Sequence, residues 1–466
     1  MRAVIGAELD GDSVPEIAWV ETNGMFIVLE RDESGVYWRR YQRFFEGRDP
    51  IEMFAIDFDR DSDLDPAWLD EERSAMEVLW NPRYGDRSND FFSIGVSANP
   101  ARAMSVADFN GDRLLDLVAS DATAVIGSFG DGRGGFGPRT PLFTIEPTVM
   151  DVVGGDFDDD GDQDLAALHV DYRLNYYYEI KVSRTQVSIY LNDGDASFTL
   201  TASVDLPYDD ERHRLAESLR AGDLDGDGDL DFVVGIDNRE DRAHDFRFVE
   251  NTGNGSVMLR DELIQVSVLT HSMFDLVDAD LDGDLDILAP IGASLWSIEG
   301  LDGFEFAEPR EGPALTDIAW NLAVSDLDMD GRPDLVVASN EGVSVHLNET
   351  AVDGPSLSLS ELQAGEVATL TVTGAAPDEE VQFFYSRDGR GHTPGLDEFG
   401  GMVLDLNGIV YPLGSAVADG DGTAVFTSMI PDEAPPALVI MQAAIRRGTL
   451  GESSVKTPAL EVRVER

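Results

Sequence analysis

Short apolar runs recur along the first three quarters of the chain, each directly behind a cluster of acids and glycine. Ile17-Ala18-Trp19-Val20, Leu117-Val118-Ala119, Leu165-Ala166-Ala167-Leu168, Phe232-Val233-Val234, Ile287-Leu288-Ala289 and Leu335-Val336-Val337-Ala338 are of this kind. A continuous run of this length suits a strand buried on both faces. A second strand and a polar tip come next, as in Ile189-Tyr190-Leu191-Asn192-Asp193-Gly194, Phe248-Val249-Glu250-Asn251-Thr252-Gly253 and Val345-His346-Leu347-Asn348. Asn, Asp and Gly tolerate positive φ, so these tips mark tight turns. A further strand leads into the next acidic cluster, for example Met104-Ser105-Val106-Ala107 before Asp108. Each unit reads strand A, acidic loop, strand B, strand C, turn, strand D.

The fullest acidic loop is Asp223-Leu224-Asp225-Gly226-Asp227-Gly228-Asp229-Leu230-Asp231. Related loops begin at Glu8, Asp57, Asp108, Asp156, Asp278 and Asp326, most of them about 50 residues apart, with an insertion between Asp156 and Asp223. A four-stranded sheet cannot bury both faces alone, and stacking several around an axis does so. The pattern predicts an all-β chain whose first 350 residues form a seven-bladed β-propeller.

Carboxylates this close repel one another unless a cation sits among them. Hard divalent cations take about six to eight oxygens, and Ca²⁺ tolerates the irregular geometry of a loop. An EF-hand would need a glutamate at loop position 12 and helices on both sides. That position holds Trp19, Trp68, Ala119, Ala167, Val234, Ala289 and Val337, so the EF-hand reading fails in every copy.

The loops resemble those of FG-GAP and VCBS repeats, the propeller units of integrin α-subunits and many secreted bacterial proteins, over about Met1 to Thr350. The resemblance implies up to seven structural Ca²⁺ ions, held by side chains at positions 1, 3, 5 and 9 and the carbonyl at 7. Carried over by position, the ligands are Asp156, Asp158, Asp160 and Asp164; Asp223, Asp225, Asp227 and Asp231; Asp278, Asp280, Asp282 and Asp286; and Asp326, Asp328, Asp330 and Asp334. Asp108, Asn110, Asp112 and Asp116 include one neutral ligand. Asp57, Asp59, Asp61 and Asp65 have Ser62 where glycine is usual. Glu8, Asp10, Asp12 and Glu16 depart furthest, with longer end ligands and Ser13, and are expected to form the weakest site.

Strand order puts every acidic loop at one end of the units. The longer insertions lie at the other end, in the fourth and fifth units. Tyr172, Tyr177, Tyr208, His213, Arg239, Arg242 and His244 combine aromatic and basic character there and are the candidate ligand patch for a glycan or protein. The alternative is that the tyrosines belong to an extended strand pair packed on its own unit. The last unit supplies strands A to C only, and Met1 already stands at strand A of the first. A segment upstream of this sequence is therefore expected to complete the ring.

Residues 351–355 read as a linker. From 356 to 466 the pattern changes to alternation, as in Ala368, Leu370 and Val372 against Thr369, Thr371 and Thr373. Alternation means one wet and one buried face, and several such strands suggest an immunoglobulin-like β-sandwich. Asp419-Gly420-Asp421-Gly422 lacks an acid at position 9 and reads as a hairpin turn.

Composition narrows the function. The 466 residues carry a net charge of −58, from 33 basic and 91 acidic side chains. Such a charge repels nucleic acid and anionic membranes. No cysteine is present, which excludes disulfides, thiolate metal sites and cysteine nucleophiles. No apolar run is long enough for a membrane-spanning helix, and the first residues lack the apolar segment of a signal peptide. There is no His-Glu-x-x-His, Gly-x-Ser-x-Gly or phosphate-binding loop, and no catalytic residue is assigned. The expected function is a monomeric, extracellular or cell-surface, calcium-stabilised binding or adhesion protein for a glycan or protein. The alternative is a carbohydrate-active enzyme of the polysaccharide lyase or sugar dehydratase type, with His213 and His244 near Arg214 and Arg242.

Overall fold

The computed structural model describes residues 2–465 except 10–13, 33–34, 46–49, 61–63, 71–73, 81–90, 96–101, 121–123, 145–147, 175–179, 208–213, 239–241, 254, 268–272, 302, 316, 329–331, 340–341, 349–354, 361, 378, 388–403, 405, 407–409, 421, 432–436, 447–454 and 458–459. At 2, 91–92, 94, 172–174, 180–181, 214, 320, 437–438, 455, 461, 463 and 465 it describes the backbone alone.

Up to His346 the described residues form seven small antiparallel sheets, six of four strands and a seventh of three. Every four-stranded sheet is a simple meander in the A-B-C-D order. The fifth shows the plan: Arg214–Gly222, Asp231–Asn238, Ala243–Asn251 and Val257–Val266. The seventh has Ala319–Ser325, Asp334–Ser339 and Val343–His346. In all seven, strand A ends one residue before the acidic loop and strand B begins on its ninth position, at Glu16, Asp65, Asp116, Asp164, Asp231, Asp286 or Asp334. The apolar run that follows is buried on both faces, as the continuous pattern predicts; strand B of the fifth sheet is buried at every residue.

Neighbouring sheets share their cores. Leu168 and Val187 of the fourth sheet cluster with Phe232 and Val249 of the fifth. Phe246 and Phe248 of the fifth cluster with Ile287 and Ile298 of the sixth. The series returns on itself: Val4, Ile17 and Ile27 of the first sheet share a cluster with Leu327, Val336 and Ala338 at the seventh. Gly6 marks the tightest point of that contact, because a Cβ there would lie 2.8 Å from the Cβ of Ser325. The architecture is a propeller-like, repeat-based stack of sheets.

Strand A carries a feature invisible to the pattern. Its register with strand B slips between Pro50 and Glu52, Val149 and Asp151, Ala216 and Ser218, and Ala319 and Asn321. The extra residue stands six before the loop in each of these four sheets. A bulge bends and twists a strand, and a polar residue, Glu52, Asp151, Ser218 or Asn321, directly follows it in each of these sheets.

From Ser356 onward two further sheets share one core. Leu357, Leu370 and Val372 of the three-stranded sheet pack against Val381, Phe383 and Met441 of the larger one. Alternation is realised in Val367–Thr373, whose burial alternates along its length. The Asp419–Gly422 segment closes a tight turn, with the Gly422 N–H donating to the Asp419 carbonyl at 3.0 Å. It is a crossover and not the expected hairpin: Tyr411–Val417 and Ala424–Met429 on either side belong to different sheets.

Candidate metal centres

The acidic loops fold on themselves by a repeated set of hydrogen bonds. The carboxylate at position 1 accepts backbone N–H groups from the turn. Asp223 takes those of Gly226 and Gly228 at 2.8 and 3.2 Å; Asp278 takes those of Asp282 and Gly283 at 3.0 and 3.1 Å. Position 5 does the same two residues on, as Asp227 accepts from Asp229 at 3.0 Å. Gly226 adopts φ of +73°, which glycine reaches without steric cost. These bonds point the remaining oxygens to one spot. One carboxylate oxygen from each of three residues lies within 4.8 Å of the other two in Asp57/Asp59/Asp65, Asp156/Asp158/Asp164, Asp223/Asp225/Asp231, Asp278/Asp280/Asp282 and Asp326/Asp328/Asp334.

The donor sets fit a hard cation. At position 3, Oδ1 of Asp158, Asp280 and Asp328 is buried without a hydrogen-bond partner. A buried, unpartnered carboxylate oxygen is costly unless a cation takes it. Burial, with the neighbouring acids, also raises carboxyls at positions 1 and 9 above the usual carboxylate range. Asp223, Asp278 and Asp286 rise to about 7, and Asp231 to about 9. Lys456, from beyond the seven sheets, is near enough to oppose the rise at Asp223 and Asp278.

The remaining predicted ligands are placed less completely. Asp10, Asp12, Asp61 and Asp330 lie outside the described residues, while Glu8 and Glu16 are buried. Asp160 holds its own turn by accepting from the Asp162 N–H at 2.9 Å. In the third loop Asn110 donates its amide to Asp116 at 3.4 Å, while Asp108 and Asp112 accept backbone N–H groups.

Position 9 has a second task that spacing did not reveal. One oxygen accepts the N–H of loop position 2, as in Leu224 to Asp231 at 3.0 Å, and the other accepts an N–H at the end of strand C, as in Asn251 to Asp231 at 2.8 Å. The same pair of bonds ties Asp116, Asp164, Asp286 and Asp334. The strand-C residue then reaches to the preceding sheet. Asn192, Asn251 and Asn348 donate Nδ2 to the position-2 carbonyls of Phe109, Phe157 and Ala279 at 2.8, 2.8 and 2.6 Å. At the return of the stack Arg31 of the first sheet takes this role, donating Nη1 to Leu327 at 3.2 Å.

A second polar group was also missed. On the inner strands Arg220 lies 3.4 Å from Asp151 and 3.8 Å from Asp275, which belong to the sheets on either side. Glu52 faces the same group, and burial pushes its carboxyl up to about 8.

The predicted ligand patch is described only in part. Tyr177, Tyr208, His213 and Arg239 lie outside the described residues, and Tyr172 is described in backbone only, within Asp164–Leu174 and paired with Val182. The backbone pairing of this strand with Ile180–Asn192 runs out to Leu174 and Ile180. Arg242 is exposed. His244 is buried completely in strand C, its ring 4.9 Å from that of Phe246. It adjoins a buried polar group in which Asn238 and Gln265 donate to Asp245 at 3.0 and 2.7 Å. A surface role for His244 was expected because a short stretch rich in charge reads as a loop, whereas Ala243–Asn251 is a central strand.

Residues 180–234 match the model of an FG-GAP-like repeat, which covers part of the fourth and fifth sheets. A comparison with curated protein sequences finds no match. Among solved structures the chain is similar to an Agrocybe aegerita lectin that recognises non-reducing terminal N-acetylglucosamine, at 13% identity and TM-score 0.41, over 91% of this chain and 99% of that one. It is also similar to the BP39L lectin of Burkholderia pseudomallei, at 13% identity and TM-score 0.49, over 75% of this chain and 98% of that one.

Proposed function

We propose that the chain is a calcium-stabilised, seven-bladed β-propeller joined to an immunoglobulin-like sandwich, and that it serves outside the cell or on its surface as a module that binds a glycan or protein. The observation that carries the metal is the recurrent buried Oδ1 of Asp158, Asp280 and Asp328, without a hydrogen-bond partner beside two further acids. All-oxygen donors on irregular loops favour Ca²⁺ over Mg²⁺, which demands a tighter octahedron. The ions act as staples: each sits where strand A, strand B and the strand-C turn are already tied together.

Binding is assigned away from the staples. The hairpin of Asp164–Leu174 and Ile180–Asn192 is paired out to Leu174 and Ile180, at the end opposite the acidic loops. A rigid scaffold with a long hairpin at one end suits recognition by loops. Calorimetric titration of chelator-treated protein with Ca²⁺, followed by a glycan array on the loaded protein, tests both parts. Several ions bound with a raised melting temperature support the staple reading, and a melt indifferent to Ca²⁺ sinks it. A loaded, folded protein that retains no glycan on the array removes the glycan reading.

A further inference from the structure

The outermost strand of the first sheet, Tyr37–Phe44, differs in chemistry from the other outer strands. It carries Arg39, Arg40 and Arg43 and no acid, in a chain with 91 acids and 33 bases. From Tyr37 to Phe45, Tyr37, Trp38, Tyr41, Phe44 and Phe45 are aromatic. By contrast, Val257–Val266 sets Arg260 beside Asp261 and Glu262, Phe198–Asp205 has no base, and Thr140–Thr144 is uncharged.

The side chains are arranged for contact. Trp38 and Phe44 are 41% and 60% exposed, and Val36 just before them is 58% exposed. The Arg40 guanidinium lies 5.6 Å from the centre of the Trp38 ring, so charge and aromatic face form one surface. Arg39, also exposed, is held by a 2.7 Å bond to Gln42. A register slip opposite Val28 and Leu29 leaves Arg40 as the extra residue of a bulge, with its Nε 3.3 Å from Glu30. Charges on an edge strand block unwanted pairing, and arginines alone would do that. Exposed Trp and Phe work against it and call for another use.

We propose that this strand binds a linear anionic oligosaccharide, its carboxylate or sulfate groups met by Arg39 and Arg40 and its ring faces by Trp38 and Phe44. Arginine presents a planar fork that matches such groups. The protein's own charge selects the shape of the partner. Charges are screened beyond about 8 Å at physiological salt. A slender chain lying along the strand meets the basic stripe alone. A nucleic-acid duplex, a membrane or a second copy of this acidic chain would also bring its negative charge against the acids around the stripe.

The proposal rests on the glycan-binding reading and is separable from it. Calcium-loaded protein and its Trp38→Ala/Arg39→Gln variant are titrated with hyaluronan oligosaccharides, dextran sulfate oligomers, neutral cello-oligosaccharides and poly-glutamate. The first two probes distinguish carboxylate from sulfate. The variant removes no core side chain, and an unchanged calcium-dependent melt confirms its fold. The expected result is binding of at least one anionic sugar that weakens about tenfold or more in the variant and falls with added salt. Equal affinity in variant and parent would overturn the placement. No binding of either anionic sugar would overturn the proposal, while retained binding of a neutral glycan would leave the broader reading standing. Poly-glutamate binding as tightly as the sugars would assign the strand to acidic peptides instead.

Discussion

The Asn251 amide donates to the Phe157 carbonyl at 2.8 Å, joining the end of strand C in the fifth sheet to the acidic loop of the fourth. The Asn251 backbone N–H is at the same time held by Asp231 at 2.8 Å. One residue thus links the acidic loop of its own sheet to that of the preceding sheet. Asn251→Ala removes the amide and leaves a buried carbonyl with weaker partners. The expected loss is about 1–2 kcal/mol, read from urea unfolding of the calcium-loaded protein. A change within error would show that packing, not this bond, holds the two sheets together.

The return of the stack rests on a close backbone approach. A Cβ at Gly6 would meet the Cβ of Ser325 at 2.8 Å and Leu327 Cδ2 at 3.1 Å. Gly6→Val should wedge the first sheet from the seventh at a cost of about 1–3 kcal/mol. Arg31→Ala, which removes the bond to Leu327, should act in the same direction and less than additively, because both substitutions loosen one contact. Thermal melts of the single and double variants check this.

Proton and metal compete for the same oxygens. Without metal, burial holds Asp223, Asp278 and Asp286 near 7 and Asp231 near 9, above ordinary carboxylates. A group whose folded value is raised lends stability at low pH and loses it as pH rises through that value. The metal-free protein should therefore weaken from mildly acidic to mildly alkaline pH. Calcium needs the deprotonated form, so the rise in melting temperature on adding Ca²⁺ should grow over that range. A calcium effect independent of pH would contradict the burial of these carboxylates.

Glu52 provides a second pH dependence, apart from the loops. Burial first, and the charge of Asp151 second, raise it from 4.5 to about 8. Its contribution to stability is complete below about 4.5 and lost as pH approaches 8. At saturating Ca²⁺, Glu52→Gln should keep the fold and flatten this part of the stability–pH curve. Parent and variant curves that run parallel between those limits would place Glu52 in water.

Sequence alone determined the repeat. Acids at alternate positions followed by an apolar run are local patterns, and loop hydrogen bonds such as Gly226 to Asp223 span only three residues. Strand A, the loop, strand B and the tip of strand C were legible for that reason, as was the change to alternation after residue 356. Tertiary structure decided everything that depends on residues far apart in the chain. Asp231 is a ligand by spacing, and only folding brings Leu224 and Asn251 to its two oxygens. Asn251 is a turn former by type, and only the stack places Phe157 beside it. Arg220 meets Asp151 and Asp275 across three sheets, and His244 disappears into a strand that charge alone would leave at the surface. Local patterns fix which backbone torsions are affordable; burial and partners are properties of the packed whole, where distant side chains share one low-dielectric space.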